Sequence, residues 1–164
     1  MLSDAEMEKL YVTALDQYEG GGKTRPFRTL LDLAKRGYLP AMCAVGILYS
    51  VGIGTPENKM IAISWWRKAA RTGDPVPMLN IGTEYRDHLG NFRQARHWLV
   101  KAATAGDASA YLELARLWYG RDRTRHCAKV KCYLDKALAE GSILSEAERE
   151  DAEAFRERLK NAGT

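Results

Sequence analysis

The side chains best able to do chemistry in this chain are three cysteines and three histidines: Cys43, Cys127, Cys132, His88, His97 and His126. Cys127 and Cys132 stand five residues apart, which on a helix turns the thiols away from each other and argues against a disulfide or redox pair. No histidine pair lies at ligand spacing near them, so neither a metal nor a cofactor is expected. His97 with Glu84, or His126 with Asp122, has the residue types for proton transfer. Neither pair comes with a nucleophile, a metal or an oxyanion site, so the chain is read as a non-enzyme. The densest remaining chemistry is electrostatic. Arg121, Arg123, Arg125, His126, Lys129 and Lys131 cluster with only Asp122 among them. Such a segment suits an acidic partner, phosphate or RNA, and equally reads as a solvated loop and helix start. Cations at a helix N-terminus are locally unfavourable, which favours a use for them.

The elements that must position these residues come from a repeat. Trp65-Trp66-Arg67-Lys68-Ala69-Ala70-Arg71-Thr72-Gly73-Asp74 returns as Trp98-Leu99-Val100-Lys101-Ala102-Ala103-Thr104-Ala105-Gly106-Asp107, and more weakly as Tyr133-Leu134-Asp135-Lys136-Ala137-Leu138-Ala139-Glu140-Gly141-Ser142. Gly37, Gly73, Gly106 and Gly141 are separated by 36, 33 and 35 residues. Val45-Gly46 with Tyr49, Ile81-Gly82 with Tyr85, and Leu114-Ala115 with Trp118 share the first two of these steps. A period of this length means stacked supersecondary units.

Each unit decodes as two helices. The first carries a small residue (Gly46, Gly82, Ala115) that costs roughly 1 kcal/mol when it is glycine and so should serve close helix approach. The second places Trp65 or Trp98 four residues before an alanine, on one buried stripe. Gly73-Asp74-Pro75 reads as C-cap glycine, N-cap aspartate and first-turn proline. Ser3 with Glu6, Asn91 with Gln94, and Ser145 with Glu148 resemble capping boxes. Thr55-Pro56 should start the helix bearing Trp65, after a Gly52-Ile53-Gly54 turn. An atypical unit precedes Gly37, with a helix to about Tyr18 and another from Pro26 to Arg36. Ser145 to Lys160 reads as a terminal cap with a narrow apolar stripe. The expectation is one all-α domain over 1–164, with units near 3–37, 38–73, 74–106 and 107–141 and a cap over 145–160.

Composition fits that picture. A hydrophobic fraction of 46% with 28% charged residues is that of a globular chain, not a disordered one. At 164 residues it should bury roughly two thirds of its unfolded surface. The net charge of +4 is too small to imply nucleic acid by itself. No apolar run approaches the roughly 18 residues of a membrane span. The N-terminal Met1-Leu2-Ser3-Asp4-Ala5-Glu6 lacks the order of a signal peptide, and the odd cysteine count fits reduced thiols, so a cytoplasmic protein is expected.

Val45-Gly46-Ile47-Leu48-Tyr49, Gly52-Ile53-Gly54, and Trp65-Trp66-Arg67-Lys68-Ala69-Ala70 with Gly73 resemble the Sel1-like repeat family. Its unit joins a Leu-Gly-x-x-Tyr helix, a Gly-x-Gly turn and a Trp-Tyr-x-Lys-Ala-Ala helix. Residues 38–141 carry the likeness well and 3–37 poorly. Tetratricopeptide repeats share a similar period without the Gly-x-Gly turn. Pro77 and Asn80 in place of Ala41 and Ala44, Ala115 in place of glycine, and Val130 in place of Ala62 and Ala95 make the third and fourth units degenerate. The resemblance implies a right-handed α-solenoid, bacterial in type, that serves as a scaffold or adaptor for another protein. It also implies that the first helices line a concave groove.

Taking Val45, Gly46 and Tyr49 as buried, the groove positions are Cys43, Ile47 and Ser50, then Leu79, Thr83 and Arg86, then Leu112, Arg116 and Tyr119. An apolar row beside Arg and Tyr suits a peptide or helix of a partner protein. Leu79 and Leu112 read equally well as core. One specific form of this function is an immunity or chaperone protein masking an effector. The chain itself is expected to be a monomer or weak homodimer. The alternative is polyanion or nucleic-acid binding through Arg121, Arg123, Arg125, Lys129 and Lys131.

Overall fold

Polar caps open the helices and left-handed glycines close them. The computed structural model describes residues 2–19, 24–121, 125–139 and 142–161, and among these the regular structure is all helical. The elements are α1 (Asp4–Glu19), α2 (Thr24–Lys35), α3 (Leu39–Val51), α4 (Lys59–Ala69) with a 3₁₀ turn at Ala70–Thr72, α5 (Pro75–Asp87), α6 (Phe92–Thr104), α7 (Ser109–Arg121), α8 (Cys127–Ala137) and α9 (Glu146–Asn161). Ser3 and Glu6 form a reciprocal box before α1, with Ser3 N–H on Glu6 Oε2 at 2.7 Å and Glu6 N–H on Ser3 Oγ at 3.3 Å. Ser145 and Glu148 repeat it before α9 at 2.9 and 3.3 Å. Asp74 Oδ1 accepts Val76 N–H at 2.9 Å ahead of Pro75 in the first turn. Each such cap is worth about 1 kcal/mol. Gly37, Gly73 and Gly106 lie at φ 94°, 89° and 98°, the backbone that ends a helix and that side chains disfavour.

One helix start differs from expectation. α4 begins at Lys59, not at Thr55-Pro56. Asn58 is extended, and its Oδ1 takes the Ile61 N–H at 3.0 Å, so the cap sits three residues beyond the Thr-Pro pair. Asn91 does the same for α6, accepting Gln94 N–H at 3.1 Å. The backbone N–H of each asparagine returns to the tyrosine of the preceding helix: Asn58 to the Tyr49 carbonyl at 2.7 Å, Asn91 to the Tyr85 carbonyl at 2.8 Å. Asn91 is thus not half of a capping box through its own N–H, which the tyrosine carbonyl receives.

The helices group into two compact units, Met1–Thr72 and Gly73–Thr164. In the first, α3 and α4 touch where α3 has no side chain. A Cβ on Gly46 would stand 2.2 Å from Trp66 Nε1, and that indole donates to the Cys43 carbonyl at 3.1 Å. Trp66 is only 3% exposed, and Trp65 joins Phe27, Leu30, Leu33 and Val45 in the core. In the second unit, a Cβ on Gly82 of α5 would meet Leu99 Cδ2 of α6 at 2.6 Å and its backbone N at 3.2 Å. Ala115 of α7 shares a core with Leu134 of α8 and with Ala152, Phe155 and Leu159 of α9. Small residues on first helices therefore face Trp66, Leu99 and Leu134 in turn, which is how the hairpins reach interior packing density. Lys68 lies 4.2 Å above the Trp65 ring and Lys101 4.8 Å above that of Trp98, so α4 and α6 each cover their tryptophan with the lysine three residues on.

Candidate functional site

On α3 the structure leaves Ile47 exposed at 48% and Cys43 half-buried, but it buries Ser50 at 6%. Ser50 is no groove residue because Lys59 folds over it, with Nζ 2.6 Å from the Ser50 carbonyl. Tyr11, Leu15, Tyr18, Pro40, Cys43 and Ile47 contribute to an apolar cavity of about 320 Å³ in this unit. Burial pushes the Tyr18 hydroxyl up to about 12.

The second unit is different. Leu79 and Thr83 are half-buried, and the Thr83 hydroxyl donates to the Asn80 carbonyl at 3.0 Å. Leu112, placed in the groove by register, is only 1% exposed. The correction has a clear cause: α9 lays Ala152, Phe155 and Leu159 over the core that Leu112 belongs to. The apolar row expected along the first helices thus loses its last member.

Arg86, Arg116 and Tyr119 come together with residues the sequence reading missed. Arg86 grips Asp87 with Nε on Oδ1 at 2.6 Å and Nη2 on Oδ2 at 2.9 Å. Its Nη1 pairs with Glu113, whose other carboxylate oxygen pairs with Arg116. Arg116 reaches on to Asp151 of α9 at 2.6 Å. One charged chain, Asp87–Arg86–Glu113–Arg116–Asp151, therefore ties α5, α7 and α9. Desolvation opposes the charge on Arg86, but its hydrogen bonds to Asp87 and the Glu113 charge outweigh that and raise its pKa. Hydrogen bonds from Arg86 hold the Asp87 carboxyl below its usual range, against partial burial. Arg86 and Glu113 side chains are 19% and 12% exposed, so removing either leaves a charge poorly served by water.

Two cavities flank this chain. The first, about 360 Å³, is lined by Arg86, Gly90, Phe92, Arg116, Leu117, Gly120 and Arg121. The second, about 230 Å³, is lined by Arg116, Tyr119, Gly120, Asp151, Phe155 and Arg158. They share Arg116 and Gly120 in their linings, so they lie side by side. Arg121 lies 4.4 Å over the Phe92 ring and Arg158 5.6 Å over that of Phe155. Tyr119 meets Phe155 edge-on at 5.0 Å. A signal for Glu113 was present in its i,i+3 spacing from Arg116. Nothing local announced that Asp151 and Arg158, on a helix read only as a cap, would line the same groove.

The basic segment is partly occupied with packing. Arg121 covers Phe92, and Lys129 lies 3.8 Å over Trp118, which also meets His126 edge-on at 4.7 Å. Arg125 and Lys131 are exposed, and Arg123 falls outside the described residues. Cys127 and Cys132 are exposed thiols, and Cys43 is half-buried. His97 is exposed beside Trp98, whereas Glu84 is buried at a position where α3 and α7 carry Leu48 and Leu117. Among the described residues, no group of three or more His, Cys, Asp or Glu side chains could hold a metal ion, and no helix is long and apolar enough to cross a membrane.

Residues 39–74 and 79–107 match the Sel1 repeat. No curated protein matches the sequence. A Sel1 repeat protein from Oxalobacter formigenes superposes with a TM-score of 0.75 at 21% identity, covering 98% of this chain and 65% of the other. A protective antigen of uropathogenic Escherichia coli with an SLR fold superposes at 0.73 and 20%, covering 97% of this chain and 34% of the other. The chain thus spans less than two thirds of either relative, and at these identities the likeness is one of fold. An immunity protein from Pseudomonas aeruginosa reaches only 0.42 at 16% identity, covering 97% of this chain and 82% of the other, too loose to carry an argument. Two segments of this chain, 39–74 and 79–107, are Sel1 repeats, and its fold is the all-α solenoid of the Sel1 repeat structures it superposes on.

Proposed function

We propose that this protein is a non-enzymatic interaction module and that it docks a partner protein in the groove formed by α5, α7 and α9. The carrying observation is that two adjacent cavities share Arg116 and Gly120 in their linings, with Arg86, Tyr119, Arg121 and Arg158 around them. Sel1 repeats generally mediate contacts between proteins. Arginine and aromatic side chains at a partly desolvated groove are the residues that dominate protein interfaces. Guanidiniums hold and orient carboxylates but stay protonated, so they suit binding and not proton transfer. The reading carries with it a cytoplasmic setting, in which the exposed Cys127 and Cys132 remain thiols.

Affinity capture with the full chain tests it. An Arg116→Glu, Tyr119→Ala double variant should lose the partner that wild type retains. Because Arg116 also ties α7 to α9, Gly120→Trp serves as the second variant. A Cβ there meets nothing within 4 Å, so the new side chain starts from open space beside both cavities. Equal recovery of every partner by wild type and a folded Gly120→Trp protein overturns the groove as the docking site.

A further inference from the structure

We infer that the segment docked in the α5/α7/α9 groove is an acidic peptide carrying an aromatic residue between its carboxylates. The inference rests on the docking reading above and adds the chemistry of the partner. Charge complementarity carries it. Four guanidiniums line the groove, from Arg86, Arg116, Arg121 and Arg158, against three carboxylates in the charged chain, from Asp87, Glu113 and Asp151. The imbalance is local. Arg86 and Arg116 are held by those carboxylates, whereas Arg121 and Arg158 form no ion pair among the described residues.

Both of those arginines are instead shelved on rings, Arg121 on Phe92 and Arg158 on Phe155. A guanidinium lying over a ring keeps its in-plane N–H groups for a carboxylate, in the two-pronged geometry that arginine favours. The ring also restrains the side chain, so less rotamer freedom is lost when the anion arrives. Each of the two adjacent cavities holds one of these shelved cations, and Gly120 lines both.

Gly120 is the penultimate residue of α7, in the last turn, where glycine costs somewhat less than the roughly 1 kcal/mol of a helix interior. Unlike Gly46 and Gly82, it has no packing reason to be glycine, because a Cβ there would meet open space. Its bareness instead keeps room between the two anion positions, bordered by Leu117, Tyr119 and Phe155. That space fits a planar apolar side chain.

Fluorescence anisotropy on the full-length protein tests this with four probes: a labelled Glu-Asp-Phe-Glu-Asp peptide, its Lys-for-acid counterpart, the acidic peptide with Ser for Phe, and a labelled oligouridine. The acidic aromatic peptide should bind at least about tenfold tighter than the lysine peptide, and more tightly than the serine version and the RNA. Its affinity should fall as salt rises. Arg121→Glu with Arg158→Glu should weaken it by about tenfold or more, while circular dichroism stays unchanged because neither arginine is in the charged chain. No binding of the acidic peptide, no preference for it over lysine or RNA, or indifference to the double reversal overturns the inference. If Gly120→Trp nevertheless loses the captured partner, the docking reading stands with a partner of other chemistry. If Gly120→Trp captures everything, both fall.

Discussion

The α1/α3 face of the first unit and the α5/α7/α9 face of the second are built on the same packing device and present opposite chemistry. In both, a glycine on a first helix receives a large side chain of the second, Gly46 against Trp66 and Gly82 against Leu99. Outward from that seam the residues diverge. Ile47 is succeeded in register by Thr83 and Arg116, and Val51 by Asp87 and Gly120, while the buried Ser50 gives way to Arg86 and Tyr119. One face is an apolar hollow around Tyr11, Tyr18 and Ile47, the other a groove of paired and ring-shelved arginines. The lesson is that the small-on-large seam fixes helix spacing and leaves the outward positions free to specify a partner.

The largest expected effect tests the seam. Gly82→Leu should destabilise the protein by about 3 kcal/mol or more in denaturant titration, since the new side chain drives into Leu99 and its backbone. Gly54→Ala, in the α3–α4 loop at φ 73°, should cost only about 1 kcal/mol of backbone strain. Equal costs for the two would break the comparison by showing that the seam is not close-packed. Gly120→Ala sharpens it with the opposite sign: a gain of less than about 1 kcal/mol, read as a raised melting temperature, because this glycine of the last helical turn has no packing role. The smallest effect concerns acid. Arg86 depresses the folded-state pKa of Asp87, so the pair stabilises the fold above the ordinary aspartate range and that contribution is lost as pH falls through the depressed value. Asp87→Asn should flatten the fall in stability below about pH 4, by no more than about 0.5 kcal/mol given its exposure. An unchanged acid profile would show that Asp87 is a bystander.

What the sequence made legible was periodic or local. The steps between Gly37, Gly73 and Gly106 mark real helix ends, and the Ser3–Glu6 and Ser145–Glu148 boxes lie within four residues, where spacing alone decides contact. The pairing of Gly46 and Gly82 with a close neighbour followed from the cost of glycine in a helix. The groove was less legible for two physical reasons. Register rules treat every first helix alike, yet α9 covers Leu112 and Lys59 covers Ser50, so equivalent positions differ in exposure. The charged chain also joins residues 27 and 35 apart, Arg86 to Glu113 and Arg116 to Asp151, and no local pattern selects those partners among the chain's many charges.

The asparagines that open α4 and α6 have a practical consequence. Asn58 sits nine residues after Tyr49 and Asn91 six after Tyr85, yet each sends its N–H to that tyrosine's carbonyl at nearly the same distance. The hairpin is closed at its base, and the intervening loop is an overhang whose length the fold does not sense. Closing nine residues instead of six costs only about 0.4 kcal/mol of chain entropy. The exposed His88–Leu89 junction, outside the charged chain, is therefore the natural point at which to graft a peptide tag or a second recognition loop next to the arginine groove.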